Sequence, residues 1–324
     1  MKALVLIGGF GTRLRPVTLS VPKQLIPIAG KTMLYHVLDL LPPDVEEVAL
    51  ATGYKSEQIE AYVRTHPPRW PVRVVPEREP MLTGGGMKNA GDGMSDPFFL
   101  LNSDVIARAD LAEVARRQHQ RGGLGVMTLA EVEDTRPYGV AALGPDDRIV
   151  RFVEKPPPEE APSHWINAGL AVWRREVLDR IPAGQPISFE QAVLPGLLEG
   201  GVFGLRLTDY WDDAGTPDRL LRSQRLLFED GRAPPTDPPK GAVTRGPVAT
   251  LPGVDARGAS IGPYVTLAAG ATVGEGAQIE DSVVMDGAVV EARAFVANSV
   301  LGPRSRVLAG HRVMGQVLAE GGEA

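Results

Sequence analysis

The chain has 324 residues, of which 43% are hydrophobic and 23% charged, with no cysteine and a formal net charge of −6. That length suffices for two domains at roughly 100–200 residues each, and the globular composition excludes both a disordered chain and a small disulfide scaffold. The lack of cysteine removes disulfides, thiolate nucleophiles and cysteine-based zinc sites, and the acidic balance argues against broad nucleic-acid binding, which needs a basic footprint.

The apolar run from Ala3 to Ile7 is too short to span a membrane and lacks a signal peptide's small-residue cleavage site, so it reads as a buried strand of a cytoplasmic protein. From there to about residue 230, short β-branched runs alternate with helical patterns. This predicts an α/β domain, a Rossmann-like mixed sheet flanked by helices. Strands are expected at 2–7, 47–51, 72–75, 98–101, 125–130 and 167–173, and helices over 32–41, 56–64, 109–121 and 216–229. Segment 232–240 holds four prolines in nine residues, which denies the backbone both helix and sheet pairing. The expected organisation is an α/β domain over 1–232, a linker over 233–240, a repeat domain over 241–318 and a tail over 319–324.

Beyond the linker a repeat of six appears: Ile261, Leu267, Val273, Ile279 and Met285 stand at equal spacing, with Val265, Ala271, Ala277 and Val283 four places after the first four. After a slip of phase the register resumes as Val284, Val290 and Val296, then as Leu301, Val307 and Val313. An α-helix cannot keep a stripe of period six on one face, whereas a coil of three flat six-residue sides turns every such residue inward. A left-handed parallel β-helix of about four turns is expected.

The first strand runs into Gly8-Gly9-Phe10-Gly11-Thr12-Arg13-Leu14-Arg15-Pro16. Glycines there permit a sharp turn with backbone amides held close to a phosphate. Counted from Gly8, Phe10 and Arg13 stand where a dinucleotide fingerprint would have its second and third glycines, counted from Gly9 the third place is Leu14, and no Gly-Lys-Ser/Thr follows, so neither that fingerprint nor a P-loop fits. Arginine instead supplies a planar fork for phosphate oxygens. Ten residues on, Val21-Pro22-Lys23-Gln24 offers a lysine, one of only seven in the chain. Two acidic turns add candidate metal ligands: Asn102-Ser103-Asp104 at a strand end, and Trp211-Asp212-Asp213 before a helix. One or two carboxylates with phosphate oxygens and water is the usual way to hold magnesium, although Asp213 also suits a helix N-cap.

The stretch GGFGTRLRPVTLSVPKQLIP resembles the signature of sugar-1-phosphate nucleotidyltransferases, GGxGTRLxPLTxxxPK, and the order of later motifs extends the likeness over nearly the whole chain. It is nearest to the guanylyltransferases that act on mannose 1-phosphate. The resemblance implies that Gly8, Gly9, Gly11 and Thr12 line the nucleotide, that Arg13 holds the triphosphate and that Lys23 neutralises the reacting phosphate. It implies a magnesium ion on Asp104 and Asp213, with Asn102 beside the nucleotide. A sugar phosphate site is implied at Tyr138 and Gly139, at Glu154 and Lys155, and at Asn167 and Gly169. The base loop departs from the family's Glu-x-Pro-Leu-Gly-Thr-Ala-Gly: aligned on Glu79-Pro80, with Glu79 in the variable place and Arg78 where the family has glutamate, Thr83 and Gly85 match, but Leu82 replaces a glycine and Gly84 an alanine. A leucine there is expected to crowd the base pocket or to force another backbone path. Gln24 stands where guanylyltransferases commonly have proline and thymidylyltransferases glutamine.

The implied chemistry is in-line attack by the sugar phosphate on the α-phosphorus of GTP, releasing pyrophosphate, with no covalent intermediate and no general base. Within the enzyme class, glucose 1-phosphate with dTTP, UTP or ATP is the rival pair. Outside it, a non-catalytic sensor of sugar nucleotides would need neither the metal pair nor Lys23. An acyltransferase use of the coil is disfavoured by its single histidine, His311. Assembly into a homo-oligomer suits it better.

Overall fold

Five consecutive buried residues, Ala3 to Ile7, give strand β1 (Lys2–Ile7) the doubly covered character of a parallel-sheet centre. In the computed structural model, which describes residues 1–324, four strands run parallel here: β1, β2 (Val48–Thr52), β3 (Val72–Pro76) and β4 (Phe98–Asn102), with β1 between β2 and β4. Five more complete a nine-stranded sheet: β5 (Gly125–Glu131), β6 (Gly139–Leu143), β7 (Ile149–Glu154), β8 (Trp165–Trp173) and β9 (Val202–Arg206). The order is β7-β6-β8-β4-β1-β2-β3, with β5 also on β8 and β9 on β5; β8 runs antiparallel to β4, β5 and β6. Helices α1 (Ser56–Thr65), α2 (Leu82–Ala90) and α3 (Leu111–Arg121) accompany it. Leu4, Phe98, Met127, Trp173 and Phe189 belong to one buried cluster on this sheet. No helix is long and apolar enough to cross a membrane.

All six predicted strands and all four predicted helices form, with ends displaced by at most three residues. Strands β6, β7 and β9 and helix α2 are additions. Helix α2 hides behind the run Gly84-Gly85-Gly86, a composition that disfavours helix. The chain supplies the reason: Gly84 and Gly85 both donate to the Ile187 carbonyl, at 2.9 and 3.2 Å, and a Cβ on Gly84 would stand 3.0 Å from that oxygen. The glycines let segment 185–189 lie directly on the start of the helix.

The chain packs as two compact units, and neither is one continuous stretch: residues 1–9 with 37–211, and residues 10–36 with 212–324. The proline-rich segment lies within the second of these units. Three stacks of short parallel strands build most of that unit. One contains Ser260–Ile261, Gln278–Glu280, Phe295–Ala297 and Arg312–Met314, so that Ile261, Ile279, Val296 and Val313 align in register. The others align Leu267 with Val284 and Leu301, and Val273 with Val290 and Val307. Every residue expected to point inward on the period of six is buried, none more than 4% exposed.

The slip of phase has a physical cause. Ile261 to Leu267 is six residues but Ile279 to Val284 is five, so one side of the coil is shortened. At that corner helix α4 (Pro217–Glu229) docks. Arg225 donates to both carboxylate oxygens of Asp281 and to Asn298 Oδ1, and the Tyr264 hydroxyl donates to Glu229 at 3.0 Å. Asp281 and Asn298 take φ of 48° and 49°, the left-handed values that asparagine and aspartate tolerate best. Between the corner and the helix lies Gln224, fully buried. Its amide nitrogen donates to the carbonyls of Tyr264 (2.8 Å) and Ser282 (3.3 Å), while its oxygen accepts from Thr266 Oγ1 (2.5 Å) and from the Ala29 amide (3.3 Å). Gly30, next to Ala29, fits only because it lacks a side chain: a Cβ would lie 3.1 Å from Pro234 and 3.2 Å from Ala249.

Candidate active site

In the first unit the C-terminal ends of β1 to β4 share one edge, with Leu6 opposite Asn102 and Ile7 opposite Thr52. From β1 the chain moves to β2 on one side and later returns to β4 on the other, which makes this edge a topological switch point, where open α/β sheets bind ligands. Gly8 and Gly9 leave β1 here; neither has an atom within 4 Å of where a Cβ would stand, and Gly9 has φ 87°. Asn102 ends β4, the Ser103 amide bonds the Leu6 carbonyl at 3.2 Å, and Asp104 completes the turn.

After β3, Glu79 and Pro80 are exposed. Leu82 takes φ 59°, a region that favours glycine, with its side chain 59% exposed. The leucine is thus accommodated by backbone strain, with the side chain turned to solvent. Thr83 donates to Glu190 at 2.5 Å and accepts from the Phe189 amide at 3.0 Å. Gly85, expected beside the nucleotide, gives its amide to Ile187, as described above. Two carboxylates here were not anticipated: Glu190, and Glu77, which accepts from the Met81 amide at 3.1 Å beneath Gly86. Burial raises the Glu77 carboxyl above its ordinary value, with the Met81 hydrogen bond opposing. A glycine triplet was the available signal, since Gly86 leaves room for Glu77, and Gly84 and Gly85 leave room for the backbone of 185–189, next to Glu190.

The three sugar-site stretches converge because β6 lies between β7 and β8. Gly139 pairs with Glu154, and a Cβ on Gly139 would fall 2.6 Å from Glu154 Oε2 and 2.3 Å from Phe152 Cζ. The Lys155 amide bonds the Tyr138 carbonyl at 2.9 Å, and Lys155 Nζ lies 3.5 Å from Glu154 Oε1. Glu154 is largely buried whereas Lys155 is exposed. Burial, then the charge of Glu190, lifts the Glu154 carboxyl above its usual range, and Lys155 draws it back. Asn167 and Gly169 sit where the pairing of β8 with β5 is interrupted, and Asn167 Oδ1 accepts from the Gly169 amide at 3.0 Å. Gly169 has φ 76°, and a Cβ there would lie 2.7 Å from Asn102 Nδ2, so this bulge abuts the turn that carries Asp104. Trp211 packs beside them, its indole donating to the Ala168 carbonyl at 2.9 Å and its ring edge-on to Tyr138.

The second unit holds the remaining residues. Gly11 has φ 60° and its carbonyl accepts from Thr18 Oγ1 at 2.8 Å. A 3₁₀ turn, Thr12–Leu14, buries Leu14 and leaves Arg13 exposed; another, Lys23–Leu25, follows Pro22. Arg13 Nη2 lies 3.9 Å from Asp213 Oδ2, and Arg219 donates to Asp213 Oδ1. Gly215 makes room for this pair, since a Cβ would come within 2.6 Å of Arg13 Nη2. The N-cap of α4 is Thr216, which accepts from the Arg219 amide, so capping does not occupy the Asp213 carboxylate. Asp212 is buried instead, its carboxyl pushed up to about 6 by burial against the pull of Arg222. No group of three or more His, Cys, Asp or Glu side chains is arranged to hold a metal. Asp104 and Asp213 are hard oxygen donors that suit magnesium, a cation that ordinarily retains water and phosphate oxygens.

A family profile described as Nucleotidyl transferase matches residues 2–229, and one described as GMPPB C-terminal domain matches 247–323. The chain is 36% identical to "Probable mannose-1-phosphate guanylyltransferase 1" of Oryza sativa subsp. japonica, over 95% of this chain and 87% of that one. It is 37% identical to "Mannose-1-phosphate guanylyltransferase" of Mycobacterium tuberculosis, over 90% and 79%. Among solved structures, HddC from Yersinia pseudotuberculosis complexed with GMP-PN superimposes with a TM-score of 0.60 at 26% identity, covering 70% of this chain and 99% of that one.

Proposed function

The chain belongs to the nucleotidyl transferase family, and from that premise we propose that it transfers the guanylyl group of GTP to mannose 1-phosphate, giving GDP-mannose and pyrophosphate. A phosphate oxygen of the sugar phosphate attacks the α-phosphorus in line, and the bond from that phosphorus to the bridging oxygen of the β-phosphate breaks. The attacking oxygen is already ionised, so positioning and charge neutralisation carry the rate and no general base is assigned.

The observation that carries the reading is the Arg13–Asp213 pair with Gly215 cleared beside it, because a helix start has no need of an exposed guanidinium next to a half-buried carboxylate. We assign Arg13 and Lys23 to the triphosphate, with Gly8, Gly9, Gly11 and Thr12 supplying the loop. Glu79, Pro80, Thr83, Gly85 and Asn102 are assigned to the nucleoside. Tyr138, Gly139, Glu154, Asn167 and Gly169 are assigned to the hexose, and Lys155 to its phosphate. Asp104 and Asp213 would hold magnesium, with phosphate oxygens and water completing its shell. That ion, when bound, neutralises charge on the nucleotide phosphates.

GTP and hexose phosphates are cytoplasmic metabolites, and we assign the enzyme to that compartment. We read the coil as an assembly element, since Val243 and Met314, on the first and last strands of one of its stacks, are exposed apolar residues.

Pyrophosphate release measured for GTP, ATP, UTP, CTP and dTTP against mannose and glucose 1-phosphates tests the substrate pair. Turnover should be fastest with GTP and mannose 1-phosphate. A preference for dTTP with glucose 1-phosphate refutes the assignment, and nucleotide binding without any turnover refutes catalysis.

A further inference from the structure

Segment 187–190 ties the start of α2 to the sugar pocket. The Ile187 amide donates to the Met81 carbonyl at 3.0 Å, and the Ile187 carbonyl accepts from Gly84 and Gly85. The Phe189 amide donates to Thr83 Oγ1, and that hydroxyl donates onward to Glu190 Oε2, which also accepts from Ser188 Oγ at 3.3 Å. The donors at the start of α2 are therefore satisfied by the chain itself, and Glu190 terminates the relay. On its other side Glu190 is close enough to Glu154 for its charge to be felt there. Lys155 and Glu190 are the charged groups that face Glu154, and its partner strand β6 offers only Gly139.

We propose that Glu190 is a positioning residue for the transfer: one carboxylate that fixes Thr83 on the nucleotide side and stands beside Glu154 on the sugar side. The role rests on the site assignment made above. Glu190 need not touch either substrate. Its hydrogen bond holds the entry to α2, and its negative charge keeps Glu154 readier to take a proton than burial alone would make it. A sugar hydroxyl donating to Glu154 favours the ionised form, so binding of the hexose works against Glu190 and is sensitive to it.

Three variants separate the two roles. Glu190→Gln retains an acceptor for Thr83 and removes the charge, Thr83→Val removes the hydrogen bond and keeps the charge, and Glu190→Ala removes both. In the protein without substrates, the carboxyl carbon of Glu154 is followed by NMR against pH and assigned by its loss in Glu154→Gln. Its midpoint should fall in Glu190→Gln and Glu190→Ala and stay in place in Thr83→Val. This arm needs no substrate, so it stands even if the proposed substrate pair is wrong. In the kinetic arm, with whichever pair turns over, Glu190→Ala and Thr83→Val should raise KM for the triphosphate by about tenfold, as expected for a lost bond to a charged group. In Glu190→Gln the acid limb of the KM profile for the sugar phosphate should move to lower pH. An unmoved Glu154 midpoint in Glu190→Gln, or an unchanged triphosphate KM in Thr83→Val, would overturn the proposal.

Discussion

Replacing Gln224 by alanine tests whether α4, the coil and the segment after Lys23 form one packed body. The change removes four hydrogen bonds at a site closed to water: to Tyr264, Ser282, Thr266 and Ala29. The two carbonyls lose about 1 kcal/mol each. The Ala29 amide and the Thr266 hydroxyl lose an acceptor, at about 1–3 kcal/mol for a buried donor left unpaired. The total is at least about 4 kcal/mol, or roughly 8–16 °C or more in melting temperature for a cooperative unit of about 150–250 residues. Differential scanning calorimetry reads it directly. Gln224→Glu is the sharper control, because it keeps both accepted bonds but sets a charge against two carbonyl oxygens. Its loss should be at least as large at neutral pH and should shrink on acidification, as protonation restores one donor. A fall of less than about 3 °C in Gln224→Ala, or a Gln224→Glu protein as stable as the parent at neutral pH, would refute the reasoning.

Arg13→Ala and Asp104→Asn should each abolish most pyrophosphate release while leaving the circular dichroism spectrum unchanged; wild-type rate in either rejects its assignment. Gly169→Ala forces a left-handed residue toward Asn102, which should cost on the order of 1–3 kcal/mol by chemical denaturation; an unaltered midpoint would contradict it. Glu77→Gln should flatten the pH dependence of stability. The raised native pKa of Glu77 means that its contribution is complete below about 4.5, the unfolded value, and is lost as pH rises through the native value. Urea melts from pH 4 to 8 measure this, and parallel curves for the two proteins refute it.

The parts most legible in the sequence were those governed by periodicity. Buried strands such as Lys2–Ile7 and the hexads from Ile261 to Met285 announce themselves because one face, or one interior, must be apolar at every repeat. Even the slip after Ile279 was visible, although its meaning required α4 and Arg225. Less legible was anything decided by distant chain. Gly84 and Gly85 read as a loop because their partners, Gln185 to Phe189, lie about a hundred residues away. Glu190 was silent for the same reason: it follows no motif that the resemblance supplied, and its importance is its nearness to Thr83 and Glu154. Strand β7 alternates poorly, with Val150 exposed beside buried Ile149, as an edge strand does.

Gln224 also sets an order in time. The segment around Ala29 is made early, yet the groups that complete its packing, Thr266 and Ser282 around Gln224, follow about 240 residues later, a delay of roughly 10–50 s at ordinary rates of synthesis. Residues assigned to grip the substrate leave the ribosome among the first and settle among the last. Nascent chains released short of the coil would carry the whole signature and lack the scaffold that holds it.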